Sequence, residues 1–155
     1  MNKLLIYFVA SCFALVSLVA GDFESEIRAS FDAGDPVPTE IFKVRDGVEV
    51  HYFAPATPRV PGENVAHFYI HGGGWKGGNP TGTYRWARYL AEHGVSAFTL
   101  KYRLSSEAKG ANPTICLEDA KSGMRWIRAN AEQLGIAPER IAVSGNSAGG
   151  HLAAA

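Results

Sequence analysis

The sequence predicts an α/β fold, a mostly parallel sheet with helices on both faces. Three observations carry this. Apolar β-type runs at residues 65–70, 95–100 and 141–144 alternate with stretches whose apolar residues recur at helical spacing. Two glycine clusters, at residues 72–78 and 145–150, each directly follow one of those runs. The composition is that of a globular domain: 155 residues, 46% apolar, with 15 Lys+Arg against 15 Asp+Glu. That balance excludes a disordered, collagen-like or coiled-coil chain, and it argues against a nucleic-acid partner or a polybasic membrane anchor. It assigns no oligomeric state.

Residues 1–21 read as a secretory signal peptide rather than as part of the fold. Lys3 gives a positive start, and the apolar run 4–20 is interrupted only by Ser11, Cys12 and Ser17 before Ala20, Gly21 and the polar Asp22. The run barely reaches the about 17 residues that a bilayer span requires, so no stable membrane span is expected after cleavage. The expected location is secreted or periplasmic. Val9-Ala10-Ser11-Cys12 resembles a lipoprotein box, but apolar residues follow Cys12. Cleavage leaves Cys116 as the one cysteine, so no intrachain disulfide is available and the domain relies on its core. Cys116 itself reads as a small buried hydrophobe rather than a catalytic thiol.

The elements follow in order. Residues 22–40 hold Asp22, Glu24, Glu26, Asp32, Asp35 and Glu40 against Arg28, with Pro36 and Pro38, and read as an acidic, poorly ordered lead-in. Residues 41–44 and 48–53 form a hairpin around Arg45-Asp46-Gly47, because Asp-Gly favours the tight turn. Pro55, Pro58, Pro61 and Gly62 mark a loop. The run 65–70 is apolar almost throughout, as a strand covered on both faces should be. His67 within it reads as a satisfied interior or edge histidine, not a ligand. A helix over 83–93 carries Trp86 and Leu90 and ends at Gly94; a strand follows at 95–100, then a loop through Gly110 and Pro113. Ala120, Met124, Ile127, Ala131 and Leu134 recur at steps of four and three, which predicts one helix over 117–134, stopped by Gly135 with Pro138 beyond. A short strand at 141–144 leads into a helix from Ala148. Right-handed crossovers would gather the loops leaving the parallel strands along one edge of the sheet.

Gly145-Asn146-Ser147-Ala148-Gly149 fits G-x-S-x-G between a strand and a helix. A hydroxyl at the tip of so sharp a turn is held out from the sheet, and side chains two before and two after would collide, so Gly145 and Gly149 occupy those places. The N–H of Ala148 opens a helix, where an oxyanion is stabilised. The second cluster, His71-Gly72-Gly73-Gly74-Trp75, also follows a strand and lets backbone N–H groups approach an acyl oxygen. Gly72 to Gly77 also satisfies G-x-G-x-x-G, but a dinucleotide site needs an acidic residue at the end of the next strand, and Lys101 stands there. Ser106 to Lys109, Ser144 to Asn146 and Lys121 to Gly123 match the three boxes of penicillin-recognising serine enzymes, in the wrong order.

The two glycine clusters resemble those of the α/β-hydrolase superfamily, most closely the hormone-sensitive-lipase-like esterases and the related secreted carbohydrate-type (BD-FAE-type) esterases. Tyr102-Arg103-Leu104 with Glu107, and then Asp119, Trp126, Asn130, Gly135 and the run 138–141, extend the resemblance over about residues 48–155. It implies an α/β-hydrolase fold and a serine carboxylic-ester hydrolase acting on a small-molecule or carbohydrate ester, without cofactor or metal. By the same resemblance Ser147 is the nucleophile, Gly73, Gly74 and Ala148 supply the oxyanion hole, and His71, Gly72, Gly145 and Gly149 shape the loops. The family's order is Ser, acid, His, yet this chain has eight residues after Ser147. His151 reads as a packing residue beneath the turn, and His71 as a residue that fixes the glycine loop; neither is expected to be the base. Asp119 and Glu107 are expected to order the 102–103 loop. The chain therefore reads as an N-terminal fragment lacking the triad acid and histidine, with 141–144 as an uncovered sheet edge. A kynurenine-formamidase-like amidase and a catalytically inactive hydrolase-fold binding protein are the alternatives.

Overall fold

The computed structural model describes residues 22–57, 62–106 and 112–155. The predicted leader at 1–21, the prolines Pro58 and Pro61, Glu107 and Gly110 lie outside the described residues. The chain divides into two compact units, Met1–Gly34 and Asp35–Ala155. In the first, helix α1 covers residues 22–32. The acidic composition had suggested poor order there. Arg28 pairs with Glu24 one turn earlier at 2.9 Å, and Ser25 Oγ donates to the Asp22 carbonyl at 2.7 Å, local contacts that favour a helix.

The second unit is built on five strands: β1 (Glu40–Arg45), β2 (Val48–Phe53), β3 (Asn64–Ile70), β4 (Ser96–Lys101) and β5 (Ile136–Gly145). Their spatial order is β1-β2-β4-β3-β5. The β1–β2 hairpin and the β2–β4 pair are antiparallel, whereas β4, β3 and β5 run parallel. Three helices cover the sheet: α2 (Tyr84–Glu92), α3 (Pro113–Ala129) and α4 (Ala148–Ala154). This is the α/β-hydrolase fold that the sequence predicts.

Alternation along the strands sorts the core into two layers. Val48, Val50, Ala66, Phe68, Ile70, Phe98 and Leu100 pack with Cys116, Ala120 and Ile127 of α3 and Leu152 of α4. Phe53 and Ala97 instead meet Tyr84, Ala87 and Ala91 of α2. Gly123 lets α3 approach closely, since a Cβ there would lie 2.8 Å from Leu100 Cδ1 and 3.0 Å from Phe68 Cζ. Cys116 is free and buried, as read from the sequence.

Three boundaries differ clearly from expectation. Helix α3 begins four residues early, because the Asn112 side chain accepts from Thr114 N at 2.9 Å and Pro113 fits the first turn. It ends at Ala129, with a turn closed by Leu134 N donating to the Asn130 carbonyl at 3.0 Å, before Gly135 (φ 66°) reverses the chain. Strand β5 starts at Ile136, which pairs with Asn64; the next partners, Ala66 and Ile141, leave Pro138 and its neighbours in a bulge. β5 forms the sheet edge and leaves Val143 37% exposed. Among the described residues no helix is long and apolar enough to cross a membrane.

Candidate active site

The connection from β5 to α4 is as tight as its sequence demands. Ser147 sits at φ 51°, ψ −120°, a conformation that non-glycine residues adopt at a cost of about 1–3 kcal/mol. A Cβ on Gly145 would lie 2.4 Å from the Gly149 carbonyl carbon, and one on Gly149 would lie 2.0 Å from the Ile70 oxygen. Both clashes are with backbone, so no rotamer relieves them. Ser147 is exposed, whereas Ala148, Gly149 and Leu152 turn inward. Ala148 is the first residue of α4, where an N–H has no intrahelical acceptor.

The loop leaving β3 lies against this turn. A Cβ on Gly72 would meet the Asn146 oxygen at 2.7 Å and Ser147 Cβ at 3.2 Å, and the Gly72 N–H donates to Asn146 Oδ1 at 2.9 Å. Beyond it, Lys76 N and Gly77 N both donate to the Gly73 carbonyl, at 3.1 and 3.0 Å, which folds the loop back on itself. That fold requires positive φ at Gly73 (125°), Gly74 (60°), Trp75 (61°) and Gly78 (86°). Among the described residues, the N–H groups of Gly73 and Gly74 donate to no protein acceptor. Three spare donors, from Gly73, Gly74 and Ala148, thus belong to two segments in contact beside an exposed hydroxyl.

His71 anchors the start of the loop. Its Nδ1 donates to the Gly72 carbonyl at 2.8 Å, and its ring stacks on Tyr102 with centroids 4.3 Å apart. Burial pushes its pKa down, against the smaller raising effect of the Gly72 carbonyl. The Tyr102 hydroxyl donates to the His71 carbonyl at 2.9 Å, and burial pushes that phenol up to about 12, so it stays a donor. His151 departs from expectation. It is exposed rather than beneath the turn, because residue 147+4 shares the outward face of α4 with Ser147, and its ring stacks on Trp75 at 5.6 Å. Among the described residues no histidine hydrogen-bonds to Ser147 Oγ.

Further from the serine, Asp119 is fully buried on α3. Its carboxylate accepts from Arg103 N and Nε, both at 3.0 Å, from Arg103 Nη2 at 2.7 Å, and from Arg45. Burial alone would raise its pKa; the hydrogen bonds from Arg103 and Arg45 outweigh that and hold the carboxyl below its ordinary range. His67 shares a 2.8 Å hydrogen bond with Ser144 Oγ across β3 and β5, the satisfied role expected of it. Lys101 pairs with Glu49 at 3.0 Å.

The sequence reading missed Asn146 and Ser105. Asn146 fills the unspecified second position of G-x-S-x-G, so the motif gives no reason to single it out. Ser105, whose N–H donates to the Trp75 carbonyl at 2.7 Å, acts through its backbone and leaves no trace in residue type.

The BD-FAE family model matches residues 56–155. An AB hydrolase superfamily protein of Schizosaccharomyces pombe is 32% identical over 120 residues, which cover 76% of this chain and 34% of that protein. The ethyl acetate hydrolase of Pseudomonas putida is 32% identical over 130 residues, covering 82% of this chain and 40% of the relative. Among solved structures, a thermophilic esterase of Thermogutta terrifontis with butyrate bound matches with a TM-score of 0.69 at 34% identity, over 74% of this chain and 42% of its own. Thermogutta terrifontis esterase 2 phosphonylated by sarin matches with a TM-score of 0.71 at 32% identity, over 77% and 45%. The chain spans less than half the length of each of these relatives.

Proposed function

Since the chain belongs to the BD-FAE family of α/β hydrolases, we propose that it is a serine hydrolase that cleaves carboxylic esters through an acyl-enzyme on Ser147. The observation that carries this reading is the strained serine at the strand-to-helix turn, with the spare N–H groups of a glycine loop packed beside it.

In the proposed reaction Ser147 Oγ attacks the acyl carbon while a general base removes its proton. The carbonyl π electrons move onto oxygen, and the resulting oxyanion accepts from the N–H groups of Gly73, Gly74 and Ala148. Each such donor is worth about 2.7–4 kcal/mol in a preorganised, water-poor site. Collapse of the adduct breaks the bond to the alkoxy oxygen, which leaves as the alcohol after taking up the proton. Water then attacks the acyl-enzyme by the same route and releases the acid. The P. putida relative named for ethyl acetate, and the Thermogutta esterase holding butyrate, favour short acyl groups, carried here by small alcohols or by carbohydrate. The T. terrifontis esterase that sarin phosphonylates supports a nucleophile in this fold, and Ser147 is the residue of this chain held in the geometry for that role. The leader-like sequence of residues 1–21 supports an activity outside the cytoplasm.

The test is Ser147→Ala in the full-length gene product. It should abolish both fluorophosphonate labelling and hydrolysis of p-nitrophenyl acetate at unchanged folding. Label that persists on the variant overturns the assignment.

A further inference from the structure

We propose that Asp119, remote from the reacting atoms, is a positioning residue for ester cleavage: through Arg103 it fixes residues 102–106 as the template on which the Gly73-Gly74 loop is set. This rests on the esterase reading above.

A loop with four successive or near-successive left-handed residues, three of them glycine, has little intrinsic preference for one shape. Its internal bonds to the Gly73 carbonyl need support from outside. The segment after β4 supplies it at both ends of the glycine pair. Upstream, the Tyr102 hydroxyl donates to the His71 carbonyl at 2.9 Å and the two rings stack. Downstream, Ser105 N donates to the Trp75 carbonyl and Ser106 Oγ to the Lys76 carbonyl, each at 2.7 Å. The donors at Gly73 and Gly74 are therefore suspended between fixed points.

Residues 102–106 lie in no strand or helix, so they need a fixture of their own. It is Asp119. One carboxylate accepts the Arg103 backbone N–H and both arms of the same side chain, and thereby sets backbone and side chain together in the middle of the template. Cys116 Sγ, one turn earlier on α3, adds a contact to the Arg103 carbonyl at 3.3 Å. Arg45 from β1 also donates to the carboxylate, at the same Oδ1 that accepts from Arg103 Nη2. An ion pair that served stability alone would have no reason to grip the main chain of this segment.

The test uses the full-length gene product and three readings: steady-state hydrolysis of p-nitrophenyl acetate, inhibition by an aryl trifluoromethyl ketone, whose hydrate-like adduct mimics the oxyanion, and thermal unfolding. Displacing donors by a fraction of an ångström to 1 Å should lower kcat of Asp119→Asn and Tyr102→Phe about 10- to 100-fold, with KM moved by less than about 3-fold. Ketone affinity should fall by the same factor as kcat. Asn64→Ala, which loses the 2.9 Å hydrogen bond to the Gly135 carbonyl at the start of β3, the end away from residues 102–106, should lower the Tm and leave both kinetic readings unchanged. If Asp119→Asn does not fold, Arg103→Lys keeps the charge but loses the forked contact, and carries the same expectation. Variants with a lowered Tm but wild-type kcat and ketone affinity overturn the proposal and leave Ser147 untouched. A Ser147→Ala protein that still labels and hydrolyses overturns the underlying esterase reading instead.

Discussion

Replacing Gly149 by alanine forces apart two backbones that the fold holds in contact. The new Cβ would lie 2.0 Å from the Ile70 oxygen and 2.7 Å from the His71 oxygen, against 3.4 Å for ordinary contact, a deficit of 1.4 Å at the closest point. Ile70 ends β3 and is hydrogen-bonded within the sheet, so it cannot turn away; α4 must move. Overpacking of this kind costs about 1–3 kcal/mol, and at about 4 °C per kcal/mol for a unit of this size the Tm should fall by roughly 4–12 °C. The same movement carries Ser147 and Ala148 away from the loop after β3. A misplacement of about 1 Å costs up to roughly 100-fold in rate, so the loss of kcat should exceed what unfolding explains at 25 °C. Calorimetry and p-nitrophenyl acetate hydrolysis measure the two effects on one sample. Gly82→Ala is the control, because a Cβ there meets nothing within 4 Å. A Gly149→Ala protein with wild-type Tm and wild-type kcat refutes the idea that the turn is packed to contact against β3.

Acid should weaken the fold through its buried histidines. Burial holds the pKa of His51, His67 and His71 below the usual 6.5, in His51 against the raising pull of Glu49. Above pH 6.5 both folded and unfolded chains leave these rings neutral; below it the unfolded chain takes up protons that the folded one refuses, so stability falls as the pH drops. Urea midpoints at pH 7.5 and 5.5 check this, and equal midpoints would dismiss it. Asn112→Ala should cost about 0.5–2 kcal/mol by removing the cap on α3, read as a shift in the same midpoint at neutral pH.

The sequence disclosed the parts of this molecule that sterics dictate. Gly145 and Gly149 are required because backbone occupies the space a side chain would take, and that requirement is visible in residue type alone. The buried strand runs were legible for a similar reason, since β3 and β4 are largely covered and carry no charge before the exposed Lys101. What could not be read was assembled from long-range contacts by residues of ordinary type. Tyr102 reaching the His71 carbonyl, Ser105 using its backbone, and Asn146 holding Gly72 join segments that are remote in sequence. The first half of β5 was missed because Pro138, Glu139 and Arg140 have the character of a loop, which the bulge permits at an edge. The start of α3 was there to be seen in Asn112-Pro113, a cap followed by a first-turn proline, but the apolar stripe begins later and drew the boundary with it.

The order in which the chain visits its strands has a consequence of its own. From β3 the path steps to β4 on one flank, then doubles back over β3 to reach β5 on the other. Two right-handed crossings in opposite senses must use opposite sides of the sheet, so α2 packs on one face and α3 on the other, where Leu152 of α4 joins it. At that topological switch point the Gly72 loop and the Ser147 turn meet. Lengthening either connection would therefore change what surrounds that junction and leave it where the winding puts it.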